Sequence, residues 1–117
     1  MLADGAYGRV METIAIVLSV GTDHVEAFEA GFRAKEVPVW KDLADRGFLL
    51  SASLSKLDIS SQPRDGSQQY LVVAVFGTGE GHHEHDNHPG FEAWNREADT
   101  YQVAGAMAFG GETIVTL

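Results

Sequence analysis

Apolar positions along the chain repeat with two periods, one of two residues and one near 3.6. Thr13 to Val20 (TIAIVLSV) is rich in β-branched residues and ends at Gly21, which predicts a strand. Thr22 or Asp23 is placed to cap a following helix, with Glu26 set for a capping box. Val25, Phe28, Phe32 and Val39 then recur at helical spacing, with Gly31 weakening the helix and Pro38 expected to kink or restart it. Trp40, Leu43 and Ala44 carry the apolar stripe to Gly47, a C-terminal stop. Phe48 to Leu57 alternates as a second strand, and Pro63 and Asp65-Gly66 among serines supply turn chemistry. Gln69 to Phe76 (QYLVVAVF) predicts a third strand. After a histidine-rich segment, Phe91, Trp94, Ala98, Tyr101 and Gly105 share one helical face. Ala106 to Leu117 closes the pattern as a fourth strand, with a bulge expected at Gly110-Gly111.

The order β-α-β-β-α-β predicts an α+β domain of ferredoxin-like topology, a four-stranded antiparallel sheet with both helices on one face. The domain is expected over residues 12–117, preceded by a flexible extension over residues 1–11. Met11 stands directly before the first strand as an alternative start. In the third strand Leu71, Val73 and Val75 alternate with Tyr70, Val72, Ala74 and Phe76, so both faces are apolar; Ile14, Ile16 and Leu18 against Ala15 and Val17 repeat this in the first strand. An antiparallel sheet with one solvated face carries polar residues there. Two helices cover one face only, and the simplest cover for the other is the sheet of a second copy, giving a homodimer.

This order, the chain length and the doubly apolar strands resemble the dimeric α/β-barrel superfamily of small ferredoxin-like proteins. That group includes cofactor-independent monooxygenases of the antibiotic-biosynthesis type, haem-degrading enzymes, and muconolactone isomerase-like and YCII-like proteins. The resemblance implies a dimeric barrel with a cleft between sheet and helices in each subunit. It also implies an oxygenase or isomerase that needs no cofactor and acts on a small aromatic or cyclic ligand.

Composition narrows the partners. With 117 residues, 44% of them apolar, the chain can bury one core. It has no cysteine, which excludes disulfides and thiolate chemistry and fits a cytoplasmic protein. A formal charge of −9 disfavours nucleic acid and anionic membrane. No apolar run approaches the roughly 20 residues of a membrane-spanning helix, and the N-terminus makes a poor signal peptide.

Four of the five histidines, His82, His83, His85 and His88, fall within seven residues after the third strand. On a helix, His82, His85 and His88 would lie within about 120° of one another, a side able to hold Zn²⁺ or Ni²⁺. The same imidazoles are candidate general bases, as is His24 at the start of the first helix. The plain alternative is a polar loop whose histidines cap the helix opening at Pro89. His83-Glu84 begins a zincin-like pattern, but Asn87 stands where its second histidine belongs. Gly77 and Gly79 hint at a dinucleotide fingerprint that His82 breaks. Ser51, Ser53 and Ser55 have no acid and histidine at a hydrolase spacing. Phe28, Phe32, Trp94, Asn95 and Tyr101 should converge between helices and sheet, either filling the space or framing a slot for a flat ligand. Gly31 and Ala98 leave room beside them. The expected function is binding, and possible turnover, of such a ligand. The alternatives are a non-catalytic binding or accessory protein, or metal binding through the histidines.

Overall fold

The structure is a computed structural model that describes residues 10–117, so the expected N-terminal extension lies almost wholly outside the described residues. The strands are β1 (Glu12–Gly21), β2 (Leu49–Lys56), β3 (Ser67–Phe76) and β4 (Met107–Glu112). They form one sheet in the order β2-β3-β1-β4 with every neighbouring pair antiparallel. The fold is α+β and ferredoxin-like, as the alternation predicts. Gly47 and Gly66 take positive φ, at 84° and 72°, in the turns before β2 and β3.

The helical layer restarts at Pro38 as expected and takes the helical alternative for the histidine segment, but departs from expectation at its start. Thr22–His24 forms a 3₁₀ turn without any side-chain cap, so the capping box is not made. The first helix is interrupted: α1 (Val25–Gly31) runs into a π turn (Phe32–Glu36) and then α2 (Val37–Asp45). Pro38, with no N–H to give, sits at the start of α2, and the Val37 N–H bonds back to the Phe32 carbonyl, closing a wide five-residue turn. The histidine segment is itself a helix, α3 (Gly79–Asp86), and α4 (Pro89–Asp99) follows as a separate one. α3 forms despite two glycines because Gly81 presses on the sheet; a Cβ there would lie 2.7 Å from Phe76 Cδ1.

One sheet face carries Ile14, Ile16, Leu18, Val72, Ala74 and Phe76 beneath the helices. The other carries Ala15, Val17, Leu71, Val73, Val75 and Phe109, edged by the serines of β2. Register puts Val73 and Phe109 on either side of Ala15. No described element covers this second face, and Phe109 is 62% exposed. β4 is shorter than expected. It pairs with β1 in unbroken register through Gly110 and Gly111, so the bulge is absent; the irregularity lies between β2 and β3, at Leu49/Ser51. Gly110 lies against Ile14, whose Cδ1 would have to shift for a Cβ placed 2.7 Å away.

Candidate functional site

A cavity of about 210 Å³ lies between the helix-side face of the sheet and the helices. Its floor is Ile14, Ile16 and Leu18 of β1 with Val72 and Ala74 of β3. Phe28, Phe32 and Trp94 form one wall and Phe91 another. Phe28, Phe32 and Trp94 are themselves core: none exceeds 4% exposure, and their ring centroids lie 5.8 to 6.2 Å apart. Of the two positions expected to leave room, Ala98 lines the cavity, whereas the space beside Gly31 is taken by the Trp94 indole; a Cβ on Gly31 would sit 2.5 Å from Trp94 Cζ3. The open space is instead displaced toward α3.

At that end the lining turns polar, with Glu36, His82, His85 and Asp86. Glu36 closes the π turn and is 4% exposed. Its Oε2 lies 2.7 Å from His85 Nε2, while its Oε1 is buried and receives no hydrogen bond from any described residue. His85 Nδ1 is 3.0 Å from Asp86 Oδ1, and the imidazole packs 4.2 Å from the Phe91 ring. Burial pulls the His85 imidazolium toward losing its proton, but the hydrogen bonds and charges of Glu36 and Asp86 prevail and raise its pKa above the ordinary value. Asp86 also holds His82, with 3.0 Å from Oδ2 to Nε2, and the other nitrogen of His82 lies 3.3 Å from Glu12 Oε1. Acids and imidazoles therefore alternate from β1 to the π turn: Glu12, His82, Asp86, His85, Glu36.

The remaining candidates are placed as follows. His88 does not share the His82/His85 side, because α3 ends at Asp86 before the chain reaches it. Its Nδ1 accepts the Gly90 N–H as the N-cap of α4, which leaves the proton on Nε2, 3.1 Å from Asp42 Oδ2. This is the capping role set out as the plain alternative. His82 and His85 share Asp86 while His88 turns to Asp42, and among the described residues no three histidine, aspartate or glutamate side chains are grouped as a metal would require. His24 is exposed and rests against the Tyr101 ring at 5.3 Å, outside the cavity. Tyr101 packs on Trp94 but turns its hydroxyl to Glu97, donating over 2.8 Å, and does not line the cavity. Asn95 lies on the lining.

No family model matches the chain, and no curated protein does. Solved structures do. A putative antibiotic biosynthesis monooxygenase from Caulobacter crescentus CB15 superposes with a TM-score of 0.74 at 16% identity, covering 98% of this chain and 100% of that one. The chain has the ferredoxin-like fold of the antibiotic-biosynthesis-monooxygenase-like proteins. SnoaB from Streptomyces nogalater, described as a cofactor-independent oxygenase, matches at a TM-score of 0.64 and 17% identity, covering 92% of this chain and 96% of that one. A dimeric ferredoxin-like protein from an uncultured marine organism matches at 0.71 and 9%, covering 92% and 91%. At these identities the likeness is one of fold, and the chemistry must be read from this chain's own residues.

The residue that sequence reasoning missed is Glu36. A signal for it existed: positions 28, 32 and 36 continue one i, i+4, i+8 stripe, so an acid stands where the helix should be apolar.

Proposed function

We propose that the protein is a homodimer that binds a small cyclic ligand in this cavity and acts on it as an oxygenase or isomerase without a cofactor. The observation that carries the reading is an apolar cavity ending on a buried carboxylate–imidazole pair. A cavity of about 150 Å³ is known to hold benzene, so 210 Å³ suits a ligand of one or two rings. The apolar walls would hold the rings, and the polar end would remove a proton. In an isomerase the proton returns to another atom of the ligand; in an oxygenase the ligand anion meets dioxygen. The solved structures of this fold described as monooxygenases and as dimeric support the oxygenase arm and the dimer.

Binding without turnover is the second reading. One observation favours it: every ring nitrogen of His82, His85 and His88 already faces a carboxylate or a backbone N–H. None is left to take a proton from a ligand.

The test is a fluorescence titration, since Trp94 lines the cavity. A panel of one- and two-ring phenols and ketones should give saturable quenching. Ala108→Trp, at an exposed position of the lining, should abolish the response and leave the circular dichroism unchanged. A response that survives this block would place the ligand elsewhere.

A further inference from the structure

We infer that Glu36, not a histidine, is the proton acceptor of this cavity, and that His85 is the positioning residue that keeps it ionised and aimed. The inference rests on the cavity-binding reading and names the group that does its chemistry.

Carboxylates only accept hydrogen bonds. His85 has carboxylate oxygens at both ends, Glu36 Oε2 at 2.7 Å and Asp86 Oδ1 at 3.0 Å. Both contacts are attractive together only when both ring nitrogens carry protons. The ring is then an imidazolium, which has no lone pair to receive a proton. Its raised pKa agrees with this. The cation instead compensates the buried charge of Glu36, which would otherwise stand unpaired. One oxygen of Glu36 is spent on His85. The other, Oε1, is buried on a residue of the cavity lining and takes no hydrogen bond from any described residue. Glu12 Oε1 and Gln102 Oε1 are likewise buried without a hydrogen bond among the described residues, but Glu12 is not on the lining and Gln102 is an uncharged amide, so Glu36 Oε1 is the unused buried carboxylate acceptor of the lining. An unused buried acceptor is costly unless a ligand supplies the donor.

The backbone is built for this placement. The π turn ends on Glu36, and such turns occur frequently at functional sites. The charges around it also define the ligand. On the cavity lining the titratable groups are Glu36, His82, His85, Asp86 and Asp99, with no lysine or arginine among the described residues. An anion would meet three acids and is disfavoured. The ligand should enter neutral and present an O–H or a ring N–H to Oε1. Proton transfer then converts ligand X–H and the Glu36 carboxylate into the ligand anion and the Glu36 carboxylic acid. The X–H bonding pair stays on X, and the new anion lies beside the His85 cation.

Calorimetry with 2-naphthol and its methyl ether, 2-methoxynaphthalene, tests this. The two match in shape and differ in the donor. Wild type should prefer the naphthol by about tenfold or more, the worth of a hydrogen bond to a charged acceptor. Glu36→Gln should bring the two affinities together while the ether still binds. His85→Asn should lose the preference for the naphthol while still binding the ether; a merely structural role for His85 would weaken both compounds alike. Equal binding to wild type overturns the assignment of Glu36 and leaves the cavity reading standing. Binding of neither compound sinks the cavity reading, and the assignment with it. A ligand-free measurement stands beside these: ring ¹⁵N spectra should show His85 doubly protonated at pH 7 in wild type and neutral in Glu36→Gln. A bare nitrogen on wild-type His85 at pH 7 would overturn the inference by itself.

Discussion

Glu36 shows how a residue can be visible in a sequence and still be passed over. The stripe Phe28, Phe32, Glu36 keeps helical spacing, yet a reading that follows apolar residues steps from Phe32 to Val39. The acid looks like one more surface charge beside Arg33 and Lys35, which are indeed exposed. Only the partner, His85, 49 positions away, explains why a carboxylate is tolerated inside. The histidine segment was legible as chemistry, but which of its imidazoles matter was not, because that depends on where α3 stops. The pair has a thermodynamic consequence. His85 is raised in the folded state relative to about 6.5 in the unfolded chain. It therefore adds stability that is fully present below pH 6.5 and is lost as pH climbs through the elevated folded value. Urea midpoints measured from pH 6 to 9 should fall with pH in wild type, and the fall should be smaller in His85→Gln. Equal slopes in the two proteins would show that the pair is not coupled to folding.

At the scale of elements, the strands were readable because their side chains alternate regardless of partners, and β1 and β3 match expectation to within two residues at each end. The helices were less so. Composition argues against α3, with Gly79 and Gly81 in eight residues, and its reason is a tertiary one, the approach of Gly81 to Phe76. The expected bulge in β4 failed in a similar way: Gly110 lies against Ile14 in unbroken register and does not bend the strand. Gly31 is a third case and yields a prediction against propensity. Alanine is favoured over glycine inside a helix by about 1 kcal/mol. Here its Cβ would strike the Trp94 ring at 2.5 and 2.8 Å, and that ring is buried and packed against Phe28 and Phe32. Overpacking of this kind costs about 1–3 kcal/mol. After the propensity gain the net cost is at most about 2 kcal/mol, so Gly31→Ala should lower the melting temperature by a few degrees. Gly105→Ala, where a Cβ meets nothing within 4 Å, should leave it unchanged or raise it.

For the whole molecule the question is what covers the second sheet face. Ala15, Val17, Leu71, Val73 and Val75 form a continuous apolar ridge across β1 and β3, and Phe109 extends it onto β4. The five residues of β1 and β3 are half-buried by their neighbours in the sheet, Phe109 is exposed, and no described element of the same chain lies over them. Covering several hundred Å² per subunit at about 25 cal/mol/Å² gives on the order of 10 kcal/mol before the costs of association. That is enough for a stable dimer with the sheets face to face, each cavity remaining on the helix side of its own subunit. Val73 sits at the middle of the ridge, registered with Ala15 on one side and Ser53 on the other. Because it points away from the helices, Val73→Asp should place an unpaired charge in the interface without touching the core of either subunit. Light scattering at micromolar concentration should give twice 12.6 kDa for wild type and a value near 12.6 kDa for the variant, with helical circular dichroism retained. A wild-type mass of one subunit would mean that the ridge is left to water and that the doubly apolar strands serve another contact. A variant that stays dimeric would move the interface off this face.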